Sequence, residues 1–225
     1  MESSALRNVK VLITSGPTRE YIDPIRFISN ASSGKMGIAV AREALSRGAE
    51  VTIVQGKGTA RPPKDAKVIN VETTEEMCDA VVKELQQGEF DVFVAAAASA
   101  DYGPAKREED KIPSKQEGLV IPLKPTPKVI EYARRVAPDV FLCAFKAEAN
   151  VARDVLIARA YDRLKEVGVD LIVANDIGKP GCGFAVDTNE VYIVDAAKEV
   201  VHVPITTKRR IAARVLDIIG DRIKK

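Results

Sequence analysis

Six side chains suited to holding an anion or an acyl group lie close together near the start of the chain: Arg19, Arg26, Asn30, Ser32, Ser33 and Lys35. Arginine offers a planar pair of donors that fits phosphate or carboxylate, and asparagine offers both a donor and an acceptor to an acyl group. They belong to the stretch Gly16 to Gly37, GPTREYIDPIRFISNASSGKMG, which closes on Ser32-Ser33-Gly34-Lys35-Met36-Gly37 where a helix is predicted to begin. Small residues there let backbone N–H groups face a ligand at the positive end of the helix, a common way of holding phosphate. A lone surface arginine is more often merely solvated. For Asn30, between a strand-like Phe27-Ile28 and a glycine-bounded helix start, a structural and a functional role stand level.

The elements around this stretch must position it. A βα turn commonly has about 2 to 6 residues, and longer uncovered loops are usually functional or disordered. Val9 to Ser15 precedes it as a near-continuous apolar run, the mark of a parallel strand buried on both faces. A helix is predicted over Gly37 to Arg47, then strands at Glu50 to Val54 and Val68 to Val71. Thr73 caps a helix through Leu85, with Glu76 completing a capping box and Gly88 as the stop. Phe90 to Ala98 is the fourth strand. Its alanine-rich end means either tight helix packing or a flat group, such as a base, lying against the backbone.

Ser99 to Lys124 breaks the rhythm and reads as a long flap. Thr126 is expected to cap a helix with Pro127 in its first turn, ending near Val136. A strand at Val140 to Ala147, a helix at Ala152 to Val167 and a strand at Asp170 to Ala174 follow. Asn175 to Thr188 is a second glycine-rich loop. Glu190 to Asp195 and Val200 to Pro204 form a hairpin, and Thr207 caps a last helix through Ile219 that is basic at its start. The alternation predicts an α/β fold with a doubly wound, mainly parallel sheet and right-handed crossovers. Ligands of such sheets bind at the carboxyl ends of the strands. The loops after strands one, four and six all leave from that edge and can meet around one ligand. Residues 1–225 read as a single domain, with 1–8 a linker-like lead and 99–124 the flap or arm.

Composition narrows the function. The 225 residues suffice for a full core, with 46% hydrophobic and 29% charged residues. A balance of 34 basic against 32 acidic residues advertises neither a nucleic-acid nor a membrane partner. No apolar run approaches the roughly 20 residues of a membrane span, and Met1 to Lys10 lacks a signal-peptide core, so the expectation is a cytoplasmic protein. Cys78, Cys143 and Cys182 are widely spaced and odd in number, which indicates neither a disulfide framework nor a zinc site. Cys182 is expected to have no covalent role. The single histidine, His202, rules out a multi-histidine metal cluster and argues against a Ser-His-Asp triad. With no Trp and 5% aromatics, stacking platforms for single-stranded nucleic acid are not expected.

Two phosphate-binding motifs fail. A dinucleotide fingerprint needs G-x-G-x-x-G directly after the first strand and an acidic residue ending the second, where this chain has Gln55-Gly56. A Walker A loop needs Ser or Thr after Gly34-Lys35, where Met36 stands. A nicotinamide-dependent reductase, NAD(P)-linked, is therefore the runner-up rather than the leading reading, and a binding module without turnover is the third.

Gly16 to Gly37, Ala97-Ala98-Ser99-Ala100-Asp101-Tyr102, Lys111-Ile112, Phe145-Lys146-Ala147-Glu148 and Ala174-Asn175-Asp176, in that order, resemble phosphopantothenate-cysteine ligase. That family is the phosphopantothenoylcysteine synthetase domain of the bifunctional coenzyme A biosynthesis protein of bacteria and archaea, and the likeness runs from about Val9 to Ile219. The resemblance implies a Rossmann-like homodimer that activates the carboxylate of 4'-phosphopantothenate with CTP and Mg2+, loses pyrophosphate, and passes the acyl group to the amine of L-cysteine. It also implies a phosphopantothenoylcysteine decarboxylase, fused or separate, as a partner. By position, Asn30 would orient the acyl-nucleotide, with Arg26 and Ala98 beside it, and Lys111 on the flap would neutralise charge over the intermediate. Ala95, Ala96, Ala97, Asp101, Lys111, Thr126, Pro127, Lys128, Val129, Phe145 and Arg163 would line the nucleotide site. Gly16, Ser32, Ser33, Gly34 and Lys35 would hold phosphates. The chain departs from many bacterial relatives at Lys115, Lys146 and Val167. The latter two bear on which nucleotide is preferred.

Overall fold

Successive side chains of a strand point to opposite faces, so a strand covered by helices on both sides must be apolar throughout. The structure is a computed structural model that describes residues 6–223. In β1 (Lys10–Ser15), Val11 and Ile13 enter one core cluster while Leu12 enters the other. The chain continues through a small ribbon of β2 (Arg19–Tyr21) and β3 (Phe27–Ser29), then α1 (Lys35–Ser46), β4 (Glu50–Gln55), β5 (Lys67–Asn70), α2 (Thr74–Gln87) and β6 (Val92–Ala95). A second ribbon pairs β7 (Tyr102–Pro104) with β8 (Leu123–Pro125). Then come α3 (Val129–Val136), β9 (Phe141–Glu148), α4 (Arg153–Val167), β10 (Leu171–Asp176), the hairpin of β11 (Thr188–Asp195) with β12 (Val200–Thr207), and α5 (Lys208–Ile223).

The main sheet has the order β12-β11-β10-β9-β6-β1-β4-β5. Its six strands from β5 to β10 run parallel, and β11 and β12 are antiparallel. The order reverses direction between β1 and β6, which opens a crevice at their carboxyl ends. Helices α1 and α5 cover one face, through Ile38, Ala41, Ile211 and Val215, and α2, α3 and α4 cover the other, through Met77, Ala133 and Leu156. Arg47 at the end of α1 ties the first pair together, donating to Asp217 Oδ1 at 2.7 Å and to the Ala213 carbonyl at 3.0 Å.

The predicted fold class is the observed one, with local differences. Half of the capping box forms: Thr73 Oγ1 accepts from Glu76 N at 3.1 Å, but Glu76 Oε2 reaches past the cap and accepts from Glu72 N at 2.8 Å. Thr126 caps nothing. Its hydroxyl donates to the Ala100 carbonyl and its N–H to that of Asp101, so α3 starts two residues beyond Pro127 with Lys128 at its N-cap. The fourth strand ends at Ala95 rather than Ala98 because the chain turns away toward the first loop, where Ala98 N–H donates to the Gly16 carbonyl at 3.0 Å. The linker-like lead is only partly accessible to description. Met1 to Ala5 lie outside the described residues, while Leu6 is fully buried in the core and so is part of the domain.

Candidate functional site: the crevice between β1 and β6

The first loop is shaped by two close approaches. Gly34 has φ of 81°, a left-handed conformation that costs glycine little, and it sets the start of α1. At Gly37 a Cβ would lie 2.7 Å from Ser15 Cβ and 3.0 Å from the Thr14 carbonyl, so only glycine lets α1 settle on the end of β1. Ser15 Oγ then donates to the Gly34 carbonyl at 3.1 Å. The first turn of α1 has no acidic residue, and its N-cap Gly34 offers no side chain; only long bonds from Gly34 N–H to Ser32 Oγ at 3.3 Å and from Lys35 N–H to Ser33 Oγ at 3.4 Å touch this positive end.

That helix end opens into a cavity of about 640 Å³. Its floor is small: Ala95 at the end of β6 and Ala96, Ala97 and Ala98 after it, with Ala144 and Ala147 of β9, and Phe145 stands at the wall. Asn30 bridges the two loops. Its Nδ2 donates to the carbonyls of Ala98 and Ser99, each at 3.0 Å. Further ties run from Ala97 N to Thr14 Oγ1 and from Ala100 N to Thr18 Oγ1. The crevice rim is therefore a stitched unit of the first loop and the strand-four loop.

Five cations line the crevice: Lys35, Lys128, Lys146, Arg163 and Lys208. Four have carboxylate partners: Lys35 with Asp187 at 2.8 Å, Lys128 with Asp101 at 2.6 Å, Lys146 with Glu148 at 2.9 Å, and Arg163 with Glu131 and Glu166. Asp187 and Asp101 are largely exposed, so an incoming phosphate can take their place. The Lys35 ammonium holds the Asp187 carboxyl below the ordinary carboxylate range, and Lys146 does the same for Glu148.

Of the residues expected to act in catalysis, Asn30 and Ala98 line the crevice, and Arg26 and Lys111 do not. Arg26 donates from Nη1 to Asp23 Oδ2 at 2.8 Å and to the Ile112 carbonyl at 3.0 Å, which makes it an anchor for the flap. Asp23 is fully buried. Burial pushes its carboxyl up, but N–H groups of Ile25, Arg26 and Ile112 and the Arg26 guanidinium outweigh this and hold it below the ordinary range. Lys111, beside that anchor, is exposed. Among the expected nucleotide residues, Ala95, Ala96, Ala97, Asp101, Lys128, Val129, Phe145 and Arg163 line the crevice, while Thr126 and Pro127 sit outside it. Ser32, Gly34 and Lys35 line it too. Gly16 instead turns the chain out of β1, and Ser33 points away, its Oγ donating to the Phe184 carbonyl at 2.6 Å.

The structure adds residues that sequence reasoning did not assign to the site: Asn175 at the end of β10, Gly183 and Phe184 in the loop 177–187, and Lys208 at the first position of α5. Lys208 had a signal. Cations at a helix N-terminus run against the helix dipole, so the basic start of the last helix needed an external reason.

The cysteines offer no nucleophile. All three are buried, and burial together with Asp79 and Glu75 pushes the Cys78 thiol up to about 11. No cluster of three or more His, Cys, Asp or Glu able to hold a metal occurs among the described residues. The oxygen donors present, chiefly Asp101 and Asn175, suit a magnesium ion that arrives on phosphate oxygens, as this ion commonly does. Among the described residues no helix is long and apolar enough to cross a membrane.

A doubly wound α/β sheet with a cation-lined crevice at its switch point defines a Rossmann-like domain. The chain belongs to the family of the DNA/pantothenate metabolism flavoprotein C-terminal domain, whose pattern matches residues 6–222. It is 44% identical over 221 residues to the coenzyme A biosynthesis bifunctional protein CoaBC of Thermococcus kodakarensis, covering 97% of this chain and 53% of that one. It is 38% identical over 213 residues to a cysteine/cysteine sulfinic acid decarboxylase of an unknown prokaryotic organism, covering 94% and 58%. The chain thus spans about half the length of the curated relatives it matches. The crystal structure of the C-terminal domain of CoaBC superposes with a TM-score of 0.81 at 32% identity, covering 99% of each chain. The Cab2 mutant H337A in complex with phosphopantothenate-cysteine shares the fold, with a TM-score of 0.80 at 17% identity, covering 96% of this chain and 88% of that one.

Proposed function

We propose that this domain is the ligase of coenzyme A biosynthesis that joins 4'-phosphopantothenate to L-cysteine at the cost of CTP. The observation that carries the reading is the meeting of the α1 start, which has no acidic residue in its first turn, with the alanine floor, bridged by the Asn30 amide. One side of that junction suits phosphates, the other a flat base, and Asn30 stands between them where an acyl group would be activated.

The chemistry needs charge neutralisation more than a proton shuttle. A carboxylate oxygen of phosphopantothenate attacks the α-phosphorus of CTP and pyrophosphate leaves. The cysteine amine then attacks the acyl carbon, the C–O bond to the nucleotide breaks, and CMP departs as the amide forms and the amine loses a proton. Each step gathers negative charge on phosphate or acyl oxygens, which nearby donors and cations stabilise. Lys35, Lys128 and the α1 turn serve the phosphates, and Asn30 orients the acyl-cytidylate. Lys111 and Arg26 would join only when the flap leaves its Asp23 anchor and folds over the crevice. Magnesium, when bound, supplies further neutralisation of the phosphates.

A nicotinamide-dependent reductase is not favoured. Gln55, where an acidic ribose ligand would stand, is buried with Nε2 donating to the Gly56 carbonyl. The resemblance to bifunctional proteins supports a phosphopantothenoylcysteine decarboxylase, fused or separate, as the consumer of the product. Incubation with 4'-phosphopantothenate, L-cysteine, CTP and magnesium should yield 4'-phosphopantothenoylcysteine and CMP in equal amounts by mass spectrometry. Thermal protection by NAD(P) and none by CTP would favour the reductase, and CTP binding without product would reduce the protein to a binding module.

A further inference from the structure

Lys208 differs from the other four cations of the crevice. It is 6% exposed and, among the described residues, has no carboxylate within ion-pair distance. Its Nζ donates to the carbonyls of Gly183 and Phe184 at 2.9 and 3.3 Å. An ammonium has three hydrogens, so two reach carbonyls and one remains. A buried cation with only neutral partners is costly unless an anion completes its surroundings.

The neighbourhood suggests where that anion sits. Lys35 projects from the start of α1 and donates to the Ala185 carbonyl at 2.9 Å, and Ser33 Oγ donates to the Phe184 carbonyl. Three donors from two helix starts thus strap residues 183–185 across the phosphate turn. Burial pushes Lys208 down from the ordinary lysine range and the like charge of Lys35 adds to this, while Asp187 opposes it. Asp187 pairs with Lys35, not Lys208, and is itself displaceable.

We propose that Lys208 is a phosphate-binding residue of the crevice, donating its remaining hydrogen to a nucleotide phosphate oxygen shared with Lys35 while its other two hold the Gly183–Phe184 segment. Phosphate capture and the placement of Phe184 at the crevice wall are then one event. The assignment rests on the reading of the α1 turn as a phosphate site, and its test separates the two.

The probe is inorganic tripolyphosphate, titrated calorimetrically into the full chain at about pH 7.5, well below the ordinary lysine pKa of about 10.4. Lys208→Met should bind at least about tenfold more weakly, the scale of one charged hydrogen bond. Lys208→Gln, which keeps an N–H donor for the loop but no charge, should show the same loss and serves if the Met variant does not fold. Unchanged affinity in either folded variant would overturn the role of Lys208 and leave the phosphate site standing. No binding by the wild type would remove the phosphate site and this assignment together.

Discussion

Asn30 commits both amide hydrogens to the carbonyls of Ala98 and Ser99, which keeps its own carbonyl oxygen for a ligand. In Asn30→Asp two acceptors would face two acceptors and open that bridge. The variant should lose about 10²-fold in kcat, the scale of a reacting group displaced by about 1 Å, while CTP still raises its melting temperature. Full turnover would remove Asn30 from the reaction. Lys111→Gln should lower kcat without moving the melting temperature, because the side chain is exposed and packs against nothing in the core. Unaltered kinetics would place it on an idle surface. At this scale the sequence was readable where function and local geometry coincide. Ser32, Gly34 and Lys35 are near neighbours in sequence, as are the alanines 95–98, and all of them line the crevice. Lys208 was not assigned because it enters from an element over 150 residues away, and only its conflict with the helix dipole hinted at it. Thr126 was misread because its hydroxyl serves a carbonyl of another loop, a choice made by tertiary contact.

At the scale of elements, α1 sits on β1 only because residue 37 has no side chain. Gly37→Ala should push the helix away and cost about 1–3 kcal/mol, as overpacking commonly does. That corresponds to about 2–12 °C in melting temperature for a chain of this size, and an unchanged melting curve would refute the close contact. The flap has its own lock. Because the Asp23 carboxyl is held below its ordinary value in the folded chain, it stabilises above the unfolded pKa of about 3.9, and that contribution is lost as pH falls through the lowered folded value. Pepsin digestion of wild type at about pH 4 should therefore leave the segment between β7 and β8 largely intact, whereas Asp23→Asn should be cut there several-fold faster. Equal rates would show that Asp23 does not fasten the flap. The flap was legible as an irregular, proline-rich break. Its anchor was not, because Asp23 and Ile112 are 89 residues apart.

For the whole molecule, the alternation of strands and helices announced a doubly wound sheet, and the three irregular loops do converge on one edge. The order of strands across the sheet is not written in periodicity; it follows from chain connection and crossover handedness. The flap and the β2–β3 ribbon expose Ile25, Phe27, Tyr102, Val120 and Leu123. Apolar surface of that kind is commonly covered by a partner, which supports our expectation of a homodimer. Sedimentation equilibrium at micromolar concentration should give twice the chain mass of 24.4 kDa, and a monomer would contradict it.

The most direct test of carboxylate activation is pyrophosphate release with magnesium and either CTP or ATP, with and without 4'-phosphopantothenate and cysteine. The account predicts release that requires phosphopantothenate, proceeds without cysteine for about one turnover per site, and becomes continuous when cysteine is added, with CTP preferred. Release independent of phosphopantothenate, or none with either nucleotide, would contradict it.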